Sequence, residues 1–144
     1  MKNAFVSIGF SFGLFLVSTA AVAVQPNAQL TPGSLCTPSD PDFTGFRYAA
    51  HVAYCARNVS PAEKAGVAEA YGGIPEANWP QYEFDHLIPL NAGGSNHADN
   101  IWPQPLGEAH EKDKVEEATY VGLTNGTLTQ EQAVQMIQGW IASH

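Results

Sequence analysis

Gln81-Tyr82-Glu83-Phe84-Asp85-His86-Leu87-Ile88-Pro89-Leu90 is the stretch on which the reading of this chain turns. It is strand-like and runs into Asn91-Ala92-Gly93-Gly94-Ser95-Asn96, whose glycines suit a tight turn that reverses the chain. Ile101-Trp102 is the next apolar piece, expected to pair back as a second strand and to be stopped by Pro103 and Pro105. From Gly107 to about Tyr120 the composition is helical. The order is therefore strand, turn, short strand, helix, with polar residues at set places. Asp85-His86 lies in the first strand, Asn100 just before the second, and His110 and Asp113 on the helix. Neighbouring side chains of a strand point to opposite faces, so Asp85 and His86 do not form a simple surface pair. A metal and a water near a local bend would account for both, and Pro89 fits an irregular edge position.

Upstream, Phe46, Tyr48, Ala50, Val52 and Tyr54 alternate with Arg47, Ala49, His51 and Ala53, which predicts a strand, with a helix as the alternative. Ser60-Pro61-Ala62-Glu63 starts a helix: Ser60 caps, Pro61 fits the first turn and Glu63 completes a capping box. That helix should bury Val67 and Tyr71 and stop at Gly72-Gly73, before a Pro-punctuated loop from Ile74 to Pro80. Downstream, Thr129 caps a last helix with Gln132 three residues on. Ala133, Met136, Ile137, Trp140 and Ile141 form its core-facing stripe.

The ends and the composition bound the class. Lys2, an apolar run from Ala4 to Val24 and Ala21-Val22-Ala23 are the parts of a secretory signal peptide, expected over residues 1–23. Cleavage there leaves one small domain at 43–144 behind an extended, Pro- and Ser-rich arm at 24–42, with no membrane attachment. The expected location is secreted or periplasmic, and in that setting Cys36 and Cys55 read as one disulfide. The net charge is −8. Beyond Lys2 the basic residues are Arg47, Arg57, Lys64, Lys112 and Lys114. So acidic a balance argues against broad electrostatic binding of nucleic acid, whose phosphates are met by Lys and Arg.

Asp85-His86-Leu87-Ile88-Pro89-Leu90, Gly93-Gly94-Ser95-Asn96 and Asn100-Ile101-Trp102-Pro103-Gln104-Pro105 together resemble the HNH endonuclease family, over about Tyr82 to Glu116. Thirteen residues separate His86 from Asn100, a spacing common in that family. The subgroup most similar carries Trp-Pro-Gln-Pro followed by a helix like Ala109-x-x-Lys112-Asp113-x-x-Glu116. The resemblance implies an α+β fold: a small ββα-metal core (motif core 81–118) with additional flanking helices. It implies His86 as general base, Asp85 as ligand of one divalent cation, and Asn100 pinning the loop and orienting the His86 ring or, as in some relatives, contacting the metal directly. The cation would be Mg, Mn, Zn or Ni. Relatives place a last His where Ala109 stands, so the remaining ligand is His110, one position later, or Asp113. Lys112 and Lys114, the basic pair beside the site, are the candidate phosphate contacts.

Two function classes follow. One is a secreted metal-dependent endonuclease acting on nucleic acid, DNA rather than RNA, without strong sequence preference. The other is a non-catalytic metal-binding or protein-binding module that keeps the fold. The acidic balance favours the second, and the set Asp85, His86 and Asn100 favours the first. Trp102 is expected in the core, and His51, His97 and His144 at the surface.

Overall fold

A computed structural model describes residues 25–144; the expected signal segment lies outside the described residues. Over the described part the architecture is mixed α+β, with two separate two-stranded antiparallel sheets, three α-helices and short 3-10 turns. No described helix is long and apolar enough to cross a membrane.

The first sheet is a hairpin of β1 (Phe43–Arg47) and β2 (Val52–Cys55). The alternation predicted one run through Phe46 and Tyr54, and the structure corrects it. The chain reverses between Arg47 and Val52, with Tyr48 and His51 at φ 61° and 52°. The turn holds none of the Gly, Asn, Asp or Pro that usually mark one, although histidine visits the left-handed region more readily than tyrosine. Tyr48 then donates its hydroxyl to the Asn91 carbonyl at 2.9 Å, which docks the hairpin on the loop that follows β3.

Helix α1 (Pro61–Ala70) has the expected capping box. Ser60 Oγ accepts from the Glu63 amide at 3.2 Å, and Glu63 Oε2 accepts from the Ser60 amide at 2.6 Å. The Ser60 amide hydrogen bond holds the Glu63 carboxyl below its usual range. The helix buries Val67 and Ala68 against Phe84 and Ile101, with Tyr71 and Trp79 packed alongside. Most of the predicted loop before β3 is instead a 3-10 turn, Glu76–Gln81.

The second sheet pairs β3 (Tyr82–His86) with β4 (Ile101–Pro105), from Tyr82 opposite Pro105 to His86 opposite Ile101. Pro103 and Pro105 were expected to stop β4; the strand runs through Pro103 and ends on Pro105. The register supplies the reason. The Leu87 amide donates to the Asn100 carbonyl at 2.7 Å, so the hydrogen-bonded pairs continue as Asp85–Trp102 and Glu83–Gln104. Pro103 and Pro105 fall at the alternate positions, whose nitrogens face away from the partner.

Between the strands the expected tight turn is replaced by a longer loop, residues 87–100. It holds two short 3-10 turns, Leu90–Ala92 and Ala98–Asn100. Helices α2 (Leu106–Thr124) and α3 (Gln130–Ser143) follow, the latter capped by Thr129 and Gln132 as its sequence implies. Ala133 and Ile137 are buried while Met136 is exposed, so the apolar stripe of α3 is narrower than predicted. Leu123 and Ala133 join Val52, Ile88 and Ala92 in one apolar cluster, which ties the first hairpin, the loop and both helices together.

The arm before β1 is not loosely tethered. Its backbone runs along the 93–99 loop: the Cys36 amide donates to the Gly93 carbonyl, the Ser95 amide to Ser34 and the Gly33 amide to Asp99, all at 2.8–3.0 Å. Cys36 and Cys55 are joined in a disulfide that links this arm to β2. Closing a loop with a sequence separation of 19 constrains the unfolded chain by about 3 kcal/mol in the chain-entropy account. Cys36→Ala/Cys55→Ala is therefore expected to lower unfolding free energy by about that amount or more, since both positions are buried. Denaturant titration checks this, and a loss below about 1 kcal/mol would contradict the bridge's structural role.

Candidate active site

Strand pleating sends Asp85 and His86 to opposite sides of β3, as alternation requires. Asp85 faces α2. His86 faces the loop and the segment after β2, and its side chain is held there by Asn96.

The His86 ring is buried, 2% exposed. Its Nε2 lies 2.9 Å from Asn96 Oδ1, which also accepts from the Asn58 amide at 3.1 Å. Asn96 Nδ2 donates to the Ala56 carbonyl at 2.7 Å and to the Asp42 carboxylate. Because Nδ2 meets only acceptors, Oδ1 must be the atom facing His86, and Nε2 must carry the proton. The lone pair is left on Nδ1, whose neighbour is Arg57 Nη1 at 3.5 Å. Arg57 is itself anchored by Nη2 donating to the Phe84 carbonyl at 3.0 Å. Burial is the first cause that pushes the His86 pKa down; the Asn96 bond opposes it and the Arg57 charge adds to it. The ring is thus a neutral base with its acceptor nitrogen beside a guanidinium.

Asn100 is fully buried and works on the backbone. Its Nδ2 donates to the carbonyls of Ile88 and Ser95 at 3.0 and 2.8 Å, and its Oδ1 accepts from the Ile88 amide at 2.9 Å. It pins the 87–100 loop, as the resemblance implies. Orientation of the ring, expected of the same residue, falls to Asn96 instead.

On the other side of β3, Lys112 of α2 reaches under the strand. Its Nζ lies 2.6 Å from Asp85 Oδ2 and 2.7 Å from the His86 carbonyl, and it also pairs with Glu116 one turn along the helix. The Lys112 side chain is 1% exposed. Burial by itself would lower its pKa, but the Asp85 and Glu116 charges outweigh that and hold it above the ordinary lysine value. Burial raises the Glu116 pKa, and the Lys112 charge works against the rise. A phosphate contact by Lys112 is therefore corrected: no substrate reaches this ammonium. Lys114 stays in solvent and pairs with Glu111 at 2.6 Å.

His110 and Asp113, the alternative helix ligands, lie 3.8 Å from each other with side chains 79% and 68% exposed. They do not gather with Asp85 into a three-ligand set. Among the described residues the trio of His, Cys, Asp or Glu with ligand atoms that close is Cys36, Asp40 and Cys55. Its two sulfurs are spent in the disulfide and offer no thiolate. The donor set that the resemblance implies thus does not fit a divalent cation in this arrangement.

A cleft of about 260 Å³ opens over His86 and Asp85, walled by Arg47, Tyr54 and Arg57 from the first hairpin and its exit. The Arg47 guanidinium stacks on the Tyr54 ring, 3.1 Å from its centroid. A second cleft shares Arg57 and adds Lys64 and Trp79. Arg47 and Arg57 thus line the cleft that holds His86, together with the Asp85 and Glu116 carboxylates, and Lys64 lines the neighbouring one. Asp42, Arg47, Arg57 and Glu116 were missed as site residues in the sequence. Asn96 was seen only as part of a turn. Compared with protein-family models, curated proteins and solved structures, the chain matches none.

Proposed function

We propose that this protein is an exported hydrolase of nucleic-acid phosphodiester bonds, with His86 Nδ1 as the general base. The observation that carries the reading is the fixed tautomer. Asn96, itself held by Asp42 and Ala56, accepts a hydrogen bond from Nε2–H and leaves the Nδ1 lone pair beside Arg57 at the cleft. A water bound there gives its proton to Nδ1 as its oxygen attacks phosphorus; the bond to the leaving oxygen breaks, that oxygen takes a proton from solvent, and His86 returns its proton to solvent. Arg57 neutralises charge gathering on the non-bridging oxygens, and Arg47 offers a second guanidinium to the same phosphate chain. No step of this reading runs through a divalent cation.

The succession β3, β4, α2, with Asn100 tying the loop to Ile88, supports a ββα core of the HNH kind. The disulfide supports an extracellular or periplasmic setting. Arg47 and Arg57 bring positive charge to a cleft whose carboxylates, Asp85 and Glu116, are paired with Lys112, and this local balance bears on the objection from net charge. Plasmid nicking by the purified mature protein is the test. Conversion of supercoiled to open-circular DNA supports the reading. Tight binding of DNA with no nicking in any metal or chelator would favour the non-catalytic module.

Loss of one charge-assisted contact costs about 1.5–3 kcal/mol, so Arg57→Ala should lower kcat/KM by roughly ten- to a hundredfold. Lys114→Ala, which removes a solvent-exposed charge paired with Glu111, should change it less than about twofold. Equal effects of the two substitutions in a steady-state nicking assay would remove the arginine from the phosphate.

A further inference from the structure

We propose that the Lys112 ammonium is the resident cation of the Asp85–Glu116 site, standing where the resemblance puts a divalent metal, so that the native protein holds no divalent cation there. An ammonium has three N–H donors and no acceptor. Three oxygens converge on this one: Asp85 Oδ2 at 2.6 Å, the His86 carbonyl at 2.7 Å and the Glu116 carboxylate. Each donor has a partner, and the side chain is closed off from water.

The same oxygens are those a hard divalent ion would use, at about 2.0–2.6 Å from each. The ammonium takes one oxygen of each carboxylate, so an ion on the same groups would sit directly against it. At such distances the two centres would press together with unscreened positive charges in a site of low dielectric. Retreat of Lys112 is not a small motion either, since its stem is packed within α2 and Glu116 follows it by one turn of the same helix. Nor do His110 and Asp113 supply a replacement set, because both face solvent.

Lys112 is then a positioning residue. It neutralises one of two carboxylates under β3 and grips the backbone carbonyl of His86, so it sets the height of the base above the cleft without touching substrate. Positive charge at the phosphate comes from the arginines. This consequence rests on the hydrolase reading; the occupancy of the site does not.

Binding of Mn²⁺ to the full mature protein, followed by the spectrum of the free ion, tests the occupancy directly. The native chain should bind none at Asp85 up to roughly millimolar metal, the weak end of oxygen-ligand sites. Lys112→Ala should gain one Mn²⁺, and Asp85→Asn in the same chain should abolish it. One-to-one binding by the native protein that Asp85→Asn removes would overturn the proposal, as would a folded Lys112→Ala that gains no site. Should Lys112→Ala fail to fold, the native protein against Asp85→Asn alone decides: no binding by either supports the ammonium, and binding lost with Asp85 overturns it. In the nicking assay EDTA should leave the native rate within about twofold; a rate that collapses with chelator and returns with metal also overturns it. If no DNA is cut with or without metal, the hydrolase reading fails while the Mn²⁺ result still stands.

Discussion

On the proposed hydrolase reading, replacement of His86 by alanine should lower DNA nicking at least about a hundredfold, the lower end of what a positioned base contributes. The ring is the acceptor in the cleft whose tautomer the protein fixes, with Asn96 holding Nε2–H at 2.9 Å. Of its neighbours, Arg57 is cationic, and Asp85, which also lines the cleft, is engaged with Lys112. Because His86 is buried, thermal melting must accompany the assay. A variant that is folded at the assay temperature and still nicks like the native chain removes His86 from the mechanism and leaves a binding module. Asn96→Ala gives the companion result. It keeps the ring but frees Nε2, so the proton is no longer confined to one nitrogen. A smaller loss than that of His86→Ala is expected, and its size measures what the fixed tautomer is worth.

The parts of this fold that were legible in the sequence are those that local chemistry decides. Ser60 with Glu63, and Thr129 with Gln132, satisfy amides within one helical turn, and both capping boxes formed where the residues predict. The Asp85–His86 strand and its return at Ile101 were legible for the same reason. What was not legible depends on partners far along the chain. Asp42 lies 54 positions before Asn96 and orients it, and no local pattern marks it. The turn between β1 and β2 uses Tyr48 and His51, whose positive φ is set by the packing of the hairpin rather than by composition. Lys112 is a different case, because a signal was present. Ala109, Lys112, Thr119 and Leu123 recur at helical spacing and are all buried, so the lysine sits in the core-facing stripe of α2. Taking Lys112 and Lys114 together as phosphate contacts overlooked that neighbours two apart on a helix face different ways.

Gly94→Ala should be among the most damaging single substitutions in the loop, lowering stability by roughly 3 kcal/mol or more. The cause is not a left-handed backbone, since the position needs none. It is space. A Cβ there would lie far inside contact distance of the Ile88 carbonyl oxygen, 2.7 Å from the Ile88 carbonyl carbon and 2.8 Å from Asn100 Nδ2. None of these can step aside cheaply. The Ile88 carbonyl accepts from Asn100, and Asn100 is the buried clamp that also holds Ser95. Any shift that relieves the clash therefore loosens the segment leading to Asn96, and with it the His86 ring. Gly139→Ala is the control: it lies within α3 with nothing near its would-be Cβ, so it should stabilise by up to about 1 kcal/mol through helix propensity. Melting curves of the two variants should move in opposite directions, with Gly94→Ala falling by roughly 10 °C or more. If Gly94→Ala melts like the native chain, the close approach of the 87–100 loop to itself is wrong, and with it the support that places Asn96 against His86.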